Sequence, residues 1–562
     1  MIRPSGAIWY SLPAAAATTV PSARGPARSK TPGRCCHACQ VAGVDAPTPA
    51  ADQPAAIAAS TTAAARRRRR CDIGSQGTSA YHVREVPAGT LPAGSVRLEG
   101  EHAGPADRGR SRRHDGATPP TGPGGPDVTV AHQVTRTTAL ERRVNALFLP
   151  AGGARGGPGR VGVEIELLPV RVTAGRPAPV PIADVQAALA HDPGLAAQAR
   201  ISFEPGGQVE LSPAPQPSPA AALEGAEVLI ARLRRCADRE GISLVRAAVS
   251  PWHDPETIGL ANPAPRYRAM QAHLDSIGPW GRRMMRQTTA TQVCLDLDGR
   301  GGCAGGSAPA GGRVSAQNEE RWRMLNRAGP ALAAAFAASP LLDGRPAGMR
   351  SVRTAIWQGV DLDRTGFDGR HLGGDPVAGY TVLAVGAHAI PLPRTEDERL
   401  PARTPLRRWM ATGDGRPDGD DLDHHLTTLF PPVRPRGYLE VRYLDALPAR
   451  WLPVPVCVLA TLATEPGARR RALEVLESDP MSEDWWRAAR SGPADPELRQ
   501  TALALLDAAL AGMRRLDRGY IPATAPALVA EYRDRFVAAG RCPADELLER
   551  HTSRPEDPST WM

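Results

Sequence analysis

Lysine is almost missing from this chain: Lys30 is the only one among 562 residues, and arginine carries the rest of the positive charge. A P-loop needs a lysine to reach the β- and γ-phosphates, so a Walker-type nucleotide site is excluded. The glycine-rich run Gly299 to Gly312 also lacks the Gly-Lys-Ser/Thr ending and reads as a surface loop. Any phosphate bound here must be held by arginine, metal ions and backbone N–H groups. No apolar run approaches the ~18–20 residues of a membrane span, and the N-terminus has no secretory h-region.

The nine cysteines form no framework. Cys36 and Cys39 have the spacing of half a zinc site, but no second pair follows at finger distance, and Gln40 stands where a c-type haem site needs histidine. Cys35 and Cys71 share that N-terminal region, while Cys236, Cys294, Cys303, Cys457 and Cys542 are scattered as free thiols of a reducing compartment would be. A cytoplasmic protein is expected.

Aromatic residues make up 4% of the chain, and the region up to about Gly125 has almost none. That region is rich in Ala, Pro, Gly, Thr and Arg without a helical or strand period. It cannot bury enough apolar surface to offset its ordering entropy, so disorder is expected there. Two segments follow: a basic low-complexity tail over 1–130 and a folded body over 131–562, helical from about residue 455. The formal charge of +9 belongs mostly to the tail, where sixteen basic residues face nine acidic ones up to about residue 135. A solvated tail rather than a nucleic-acid-binding arm is the expectation. Its first forty-odd residues contain arginine and serine but no acid, as in a transit peptide. Because no methionine lies between Met1 and Met270, and Val128, Val130 and Val134 precede the first patterned sequence, a start-site artefact is the preferred explanation.

In the body, Thr138 to Phe148 has helical spacing and Val161 to Val170 alternates as a strand. Ile201–Glu204 and Gln208–Leu211 pair as a hairpin, and further strands are expected at Ser243–Val249, Thr288–Asp296 and Gly437–Leu444. Helices are expected at Ile182–Ala190, Ala220–Gly241, Tyr267–Met285 and Asn318–Ala338, and a loop from Arg350 to Trp357 and over Asp361–Asp368. Strands interspersed irregularly with helices indicate an α+β fold rather than a doubly wound sheet.

Acids are placed unusually in this pattern. Phe203-Glu204-Pro205-Gly206-Gly207-Gln208-Val209-Glu210-Leu211 sets two carboxylates around a tight turn, and Val163-Glu164-Ile165-Glu166-Leu167 adds two more. Tyr438-Leu439-Glu440-Val441-Arg442 adds a fifth acid with an arginine two places on. Residues two apart in a strand share a face, so Glu164 converges with Glu166 and Glu440 with Arg442. Clustered acids repel and protonate unless a cation joins them, and magnesium prefers a few carboxylates together with phosphate oxygens. A magnesium–nucleotide site is the reading, against a solvated strand face. His425 could be taken for a general base, but a histidine that orients a neighbouring strand end is commoner.

Several ordered motifs carry a resemblance: Gly162 to Glu166, Phe203 to Ser212, Pro265-Arg266-Tyr267-Arg268-Ala269-Met270, Met284 to Thr288, Thr291 to Asp296, Arg327-Ala328-Gly329, Arg353-Thr354-Ala355-Ile356-Trp357, and His425 to Arg434 followed by Tyr438 to Arg442. Over about Val161 to Ala460 the chain resembles glutamate–cysteine ligases of the plant-type branch, most closely the actinobacterial form associated with ergothioneine synthesis. The resemblance implies a glutamine synthetase-like curved antiparallel sheet with flanking helices. It also implies ATP-dependent joining of the L-glutamate γ-carboxylate to L-cysteine through a γ-glutamyl phosphate, with Mg2+ or Mn2+. On this basis Glu164, Glu166, Glu204, Glu210 and Glu440 are expected metal ligands, and Arg442 and Arg436 face the phosphoryl group or glutamate. Arg353, Gln292 and Trp357 are expected at the substrates; Gln292 stands where other branches place a metal-binding histidine. A carboxylate–amine ligase for a different amine is the nearest alternative. A non-catalytic relative with a nucleic-acid-binding tail is the more distant one.

Overall fold

The computed structural model describes residues 128–150, 159–173, 176–298, 314–395, 398, 403–413 and 415–553. The expected tail up to residue 127 and the glycine-rich run 299–312 lie outside them. The first helix, Val128–Leu147, starts ten residues earlier than its apolar spacing suggested.

Eight strands form the central sheet. They are β1 (Val161–Thr173), β2 (Arg176–Pro179), β3 (Ala199–Phe203), β4 (Val209–Pro213), β5 (Ser243–Val245), β6 (Thr291–Asp296), β9 (Val433–Pro435) and β10 (Tyr438–Val441); β7 (Leu341–Leu342) and β8 (Arg345–Pro346) make a separate hairpin. The order is β3-β4-β1-β6-β10-β9, and the far half of β1 pairs with β2 and β5. Every pairing is antiparallel, so the fold is α+β as expected.

Alternation gives this sheet two opposite faces. Val163, Ile165, Leu167, Val209, Leu211, Val293, Leu295, Leu439 and Val441 are all buried on one of them. At about 1.5–3 kcal/mol for each large apolar side chain removed from water, this layer is a principal source of stability. Helix Pro219–Arg239 packs on β1 and β4, started by Ser218, whose hydroxyl accepts the Ala221 N–H. Helix Pro453–Thr464 packs on β6; it is apolar all round and buried nearly throughout, which suits a helix enclosed by others. Beyond it the described residues to Ser553 form further helices.

Three expectations change in detail. Arg350 to Trp357 is not a loop: helix Val352–Val360 starts after Ser351, whose hydroxyl accepts the Thr354 N–H and supplies the missing cap. The helix expected over 318–338 is two, Ala316–Arg327 and Gly329–Ala335, with Pro330 in the first turn of the second, where its missing N–H costs nothing. Tyr267 to Met285 likewise divides into Pro265–Asp275 and Trp280–Gln287.

Candidate active site

Residues directly opposite one another in an antiparallel pair point to the same face, so the register fixes what lies on the second side of the sheet. Glu166 is opposite Glu210, Glu164 opposite Gln292, and Ser202 opposite Glu210. Glu440 lies opposite Cys294 on one side and Arg434 on the other. One sheet face therefore gathers Glu164, Glu166, Glu210, Gln292 and Glu440. Glu204 joins from the turn between β3 and β4.

A chain of hydrogen bonds crosses three strands of this face. Arg442 Nη1 donates to Glu440 Oε2 at 2.8 Å and to Gln292 Oε1 at 2.9 Å. Gln292 Nε2 then donates to Glu166 Oε1 at 2.9 Å, and the Ala290 N–H donates to Glu166 Oε2 at 2.8 Å. Both ends of the Gln292 amide are thus engaged by charged partners. At the other edge, Glu210 Oε1 accepts from Arg200 Nη2 at 2.9 Å, Ser202 Oγ at 2.9 Å and Ser212 Oγ at 3.1 Å.

Glu440 is the most enclosed of the acids, with 0% exposure. Arg434 donates to it from Nε at 2.7 Å and Nη2 at 3.2 Å, and Arg436 from Nη1 at 3.1 Å, in addition to Arg442. Despite burial, which opposes ionisation, these arginines hold its carboxyl well below the usual carboxylate range. Glu440 was expected to be a metal ligand. In this structure both of its oxygens accept from guanidinium donors.

For Glu164, Glu166 and Glu204 the carboxyl is shifted in the opposite direction. Glu164 and Glu204 accept no side-chain hydrogen bond and form no ion pair among the described residues. Burial, followed by the neighbouring Glu210 charge, pushes the carboxyls of Glu164 and Glu166 up to about 7 and that of Glu204 up to about 8. Buried carboxyls with a raised tendency to hold protons are ones that a divalent cation would stabilise in their charged form. Among the described residues no three His, Cys, Asp or Glu side chains converge closely enough to enclose an ion alone. The donor set fits magnesium in its usual manner, with one or two carboxylates each and water or phosphate oxygens for the remainder. It does not fit a closed protein cage.

Next to this face opens a cleft lined by Arg353, Trp357, Phe430, Arg442, Tyr443 and Trp485 among others. Arg442 lies at the border of both features. Its guanidinium carbon stands 5.9 Å from the Trp357 ring centre and 5.8 Å from that of Phe430, and the Arg353 guanidinium carbon is 5.7 Å from Trp357. Arg353 Nη2 donates to the Arg442 carbonyl at 2.8 Å, whereas Arg353 Nε and Trp357 Nε1 are buried without an acceptor. Two unspent donors in a cleft call for an oxygen-bearing ligand. Asp445 fixes the approach of this helix, accepting from Ser351 Oγ at 3.0 Å, Ser339 Oγ at 2.8 Å and the Ala338 N–H at 2.8 Å.

All ten expected site residues thus lie on or beside the polar face. His425 does not: it is buried in helix Gly419–Thr427, its Nε2 meets the Ala384 carbonyl at 2.8 Å, and burial and then the Arg364 charge lower its pKa to about 3. The sequence reading missed Arg200, Arg434, Asp445, Phe430 and Trp485. Arg434 was accessible, since it sits in the same alternation as Arg436 before a Gly turn. Trp485 gave no signal, because it arrives from helix Ser482–Ser491, far along the chain.

A charged sheet face with free carboxylates, clustered arginines and an adjoining aromatic cleft defines an α+β enzyme that handles anionic small molecules. Glutamate-cysteine ligase family 2 (GCS2) matches residues 160–559, which contain every one of these features. The chain is 34% identical over 420 residues to a protein of Mycolicibacterium smegmatis called glutamate–cysteine ligase EgtA, covering 73% of this chain and 91% of that one. It is 28% identical over 378 residues to the chloroplastic glutamate–cysteine ligase of Medicago truncatula, covering 63% of this chain and 68% of the relative. A solved glutamate–cysteine ligase of Francisella tularensis in complex with AMP aligns over 72% of this chain and 86% of its own with a TM-score of 0.40 and 13% identity, too distant for residues to be carried across. The chain belongs to glutamate–cysteine ligase family 2.

Proposed function

We infer that this enzyme joins the γ-carboxylate of L-glutamate to the amine of L-cysteine at the expense of ATP, giving γ-glutamylcysteine, ADP and phosphate. The observation that carries this reading is that the family match at residues 160–559 includes the whole charged face and its cleft. The product would feed thiol synthesis of the ergothioneine or glutathione type.

The residues divide the work as follows. Glu164, Glu166, Glu204 and Glu210 would hold Mg2+ or Mn2+, which supplies charge neutralisation for the ATP phosphates. Arg442, aimed by Glu440 and Gln292, and Arg436 present fixed positive charge to the phosphoryl group in transit. A γ-carboxylate oxygen attacks the terminal phosphorus and the bond to ADP breaks. The cysteine nitrogen then attacks the acyl carbon, the carbon–oxygen bond to phosphate breaks, and the nitrogen loses a proton. Little of this requires covalent chemistry from the protein, so positioning and electrostatics dominate. Arg353 offers its free Nε to a substrate carboxylate, and Trp357 forms the wall beside it. Glu440 acts through the arginines it holds.

Purified enzyme with ATP, Mg2+ and L-glutamate, assayed for ADP against a panel of amines, tests the reading. Cysteine should give the highest kcat/KM, with γ-glutamylcysteine as product. Preference for another amine would keep the ligase but replace its acceptor, and no ADP with any amine would overturn the reading.

A further inference from the structure

Gln208 lies inside the acidic turn and is 1% exposed, yet it touches no carboxylate of the site. Its whole amide is committed elsewhere. Oε1 accepts the Gly206 N–H at 2.9 Å, and Nε2 donates to the Thr288 carbonyl at 2.9 Å and the Met285 carbonyl at 3.3 Å. Those carbonyls close the helix Trp280–Gln287, immediately before β6. The side chain therefore fastens the tip of the β3–β4 turn to the start of the strand that carries Gln292.

The surrounding backbone is equally constrained. The Glu204 N–H donates to the Gln208 carbonyl at 2.9 Å, and the Gly207 N–H donates to the Glu204 carbonyl at 2.9 Å. Gly207 has φ +85°, a conformation other residues adopt only with strain, and a Cβ on Gly206 would lie 2.3 Å from the Arg286 carbonyl oxygen. From the other side Asn262 Nδ2 donates to the Phe203 carbonyl at 2.8 Å. Glu204, the residue these contacts surround, is with Glu164 one of the two site acids whose carboxylates have no hydrogen-bond or ion-pair partner among the described residues. Such a backbone vise makes sense if the direction of that carboxylate matters.

We propose that Gln208 is a positioning residue that sets where Glu204 presents its carboxylate to a divalent cation, acting through the turn without touching the ion. The proposal rests on Glu204 being a cation ligand. It makes the constrained geometry of this turn a property of the cation site rather than of the fold alone. Groups of this kind behind metal ligands commonly change affinity by about 10–100-fold.

The test is titration of the complete, metal-free chain with Mn2+ alone, followed by electron paramagnetic resonance, with thermal melting in parallel. Gln208→Leu should weaken Mn2+ binding by about tenfold or more while the melt stays cooperative. Asn262→Ala, at a half-buried position, should weaken it by a smaller factor with a cooperative melt, and its kcat should recover at saturating Mn2+. Should Gln208→Leu fail to fold, Asn262→Ala decides. Wild-type Mn2+ affinity in the folded variants, with Glu204→Gln impaired, overturns the positioning role and leaves the cation site standing. Wild-type affinity in Glu204→Gln removes the cation role of Glu204 itself, and the proposal with it.

Discussion

Replacing Glu440 by glutamine keeps the shape of the side chain but removes a negative charge from between three guanidinium groups. Two of them, Arg434 and Arg442, have side chains only 14% exposed, while Arg436 is 44% exposed. The amide would retain one accepting oxygen and turn an NH2 group toward two donors. Breaking a buried ion pair costs about 3–5 kcal/mol, since the stranded charge cannot recover its hydration. Arg436 adds little to that figure because water screens it. Arg442 keeps Gln292 as a partner, so the total should stay near the cost of one pair, about 3–5 kcal/mol, rather than three. Urea unfolding of metal-free wild type and Glu440→Gln at pH 7 measures it. The pH dependence adds a second check with a definite sign. The folded-state pKa of Glu440 is depressed, so its contribution is present above the ordinary carboxylate value of about 4.3 and is lost as pH falls toward the folded value. The two proteins should therefore differ by a constant amount above pH ~5 and converge only in stronger acid. A difference under about 1 kcal/mol at pH 7 would refute the arginine clamp, being no more than a surface pair supplies.

Three further outcomes follow from the same geometry. Glu204→Gln should abolish Mg2+-dependent phosphate release, by at least about 100-fold, without lowering the melting temperature of the metal-free protein, because burial and then the neighbouring acids already favour the neutral form of this carboxyl, which the amide resembles; substantial turnover would place the cation elsewhere. The carboxyls of Glu164, Glu166 and Glu204, raised to about 7 to 8, should release protons when Mn2+ binds at pH 7. Calorimetry in two buffers of different ionisation heat reads that release, affinity should rise from pH 6 to 8, and the metal-free protein should lose stability as pH climbs from about 4.5 through that range. Zero proton release would contradict the shifts. Arg353→Lys, which loses the planar fork and the Nε–H, should raise the amino-acid KM by about 10–100-fold with the ATP KM unchanged; an effect confined to ATP would reassign the cleft.

Local pattern revealed what depends on alternation alone. Glu164 and Glu166 share a face because β1 is a regular strand, and Arg442, one residue past the end of β10, donates to Glu440. The hairpin that brackets Glu204 was legible from its Pro-Gly-Gly turn. Cross-strand register was not legible, and it decides that Arg434 stands opposite Glu440 and donates to its carboxylate. The helix at Val352–Val360 was missed because Val352, Thr354 and Ile356 are β-branched and weigh against helix, while Ser351 supplied the cap that outweighed them. Trp485 was out of reach of any local rule, since it enters the cleft across a separation of more than a hundred residues from Arg353.

The central claim, that the charged sheet transfers a phosphoryl group onto glutamate before the amine arrives, is tested most directly by isotope transfer. L-Glutamate labelled with 18O in the γ-carboxylate, incubated with the enzyme, ATP, Mg2+ and cysteine, should yield inorganic phosphate carrying one 18O atom per turnover. Unlabelled phosphate accompanying γ-glutamylcysteine would contradict the acyl-phosphate route.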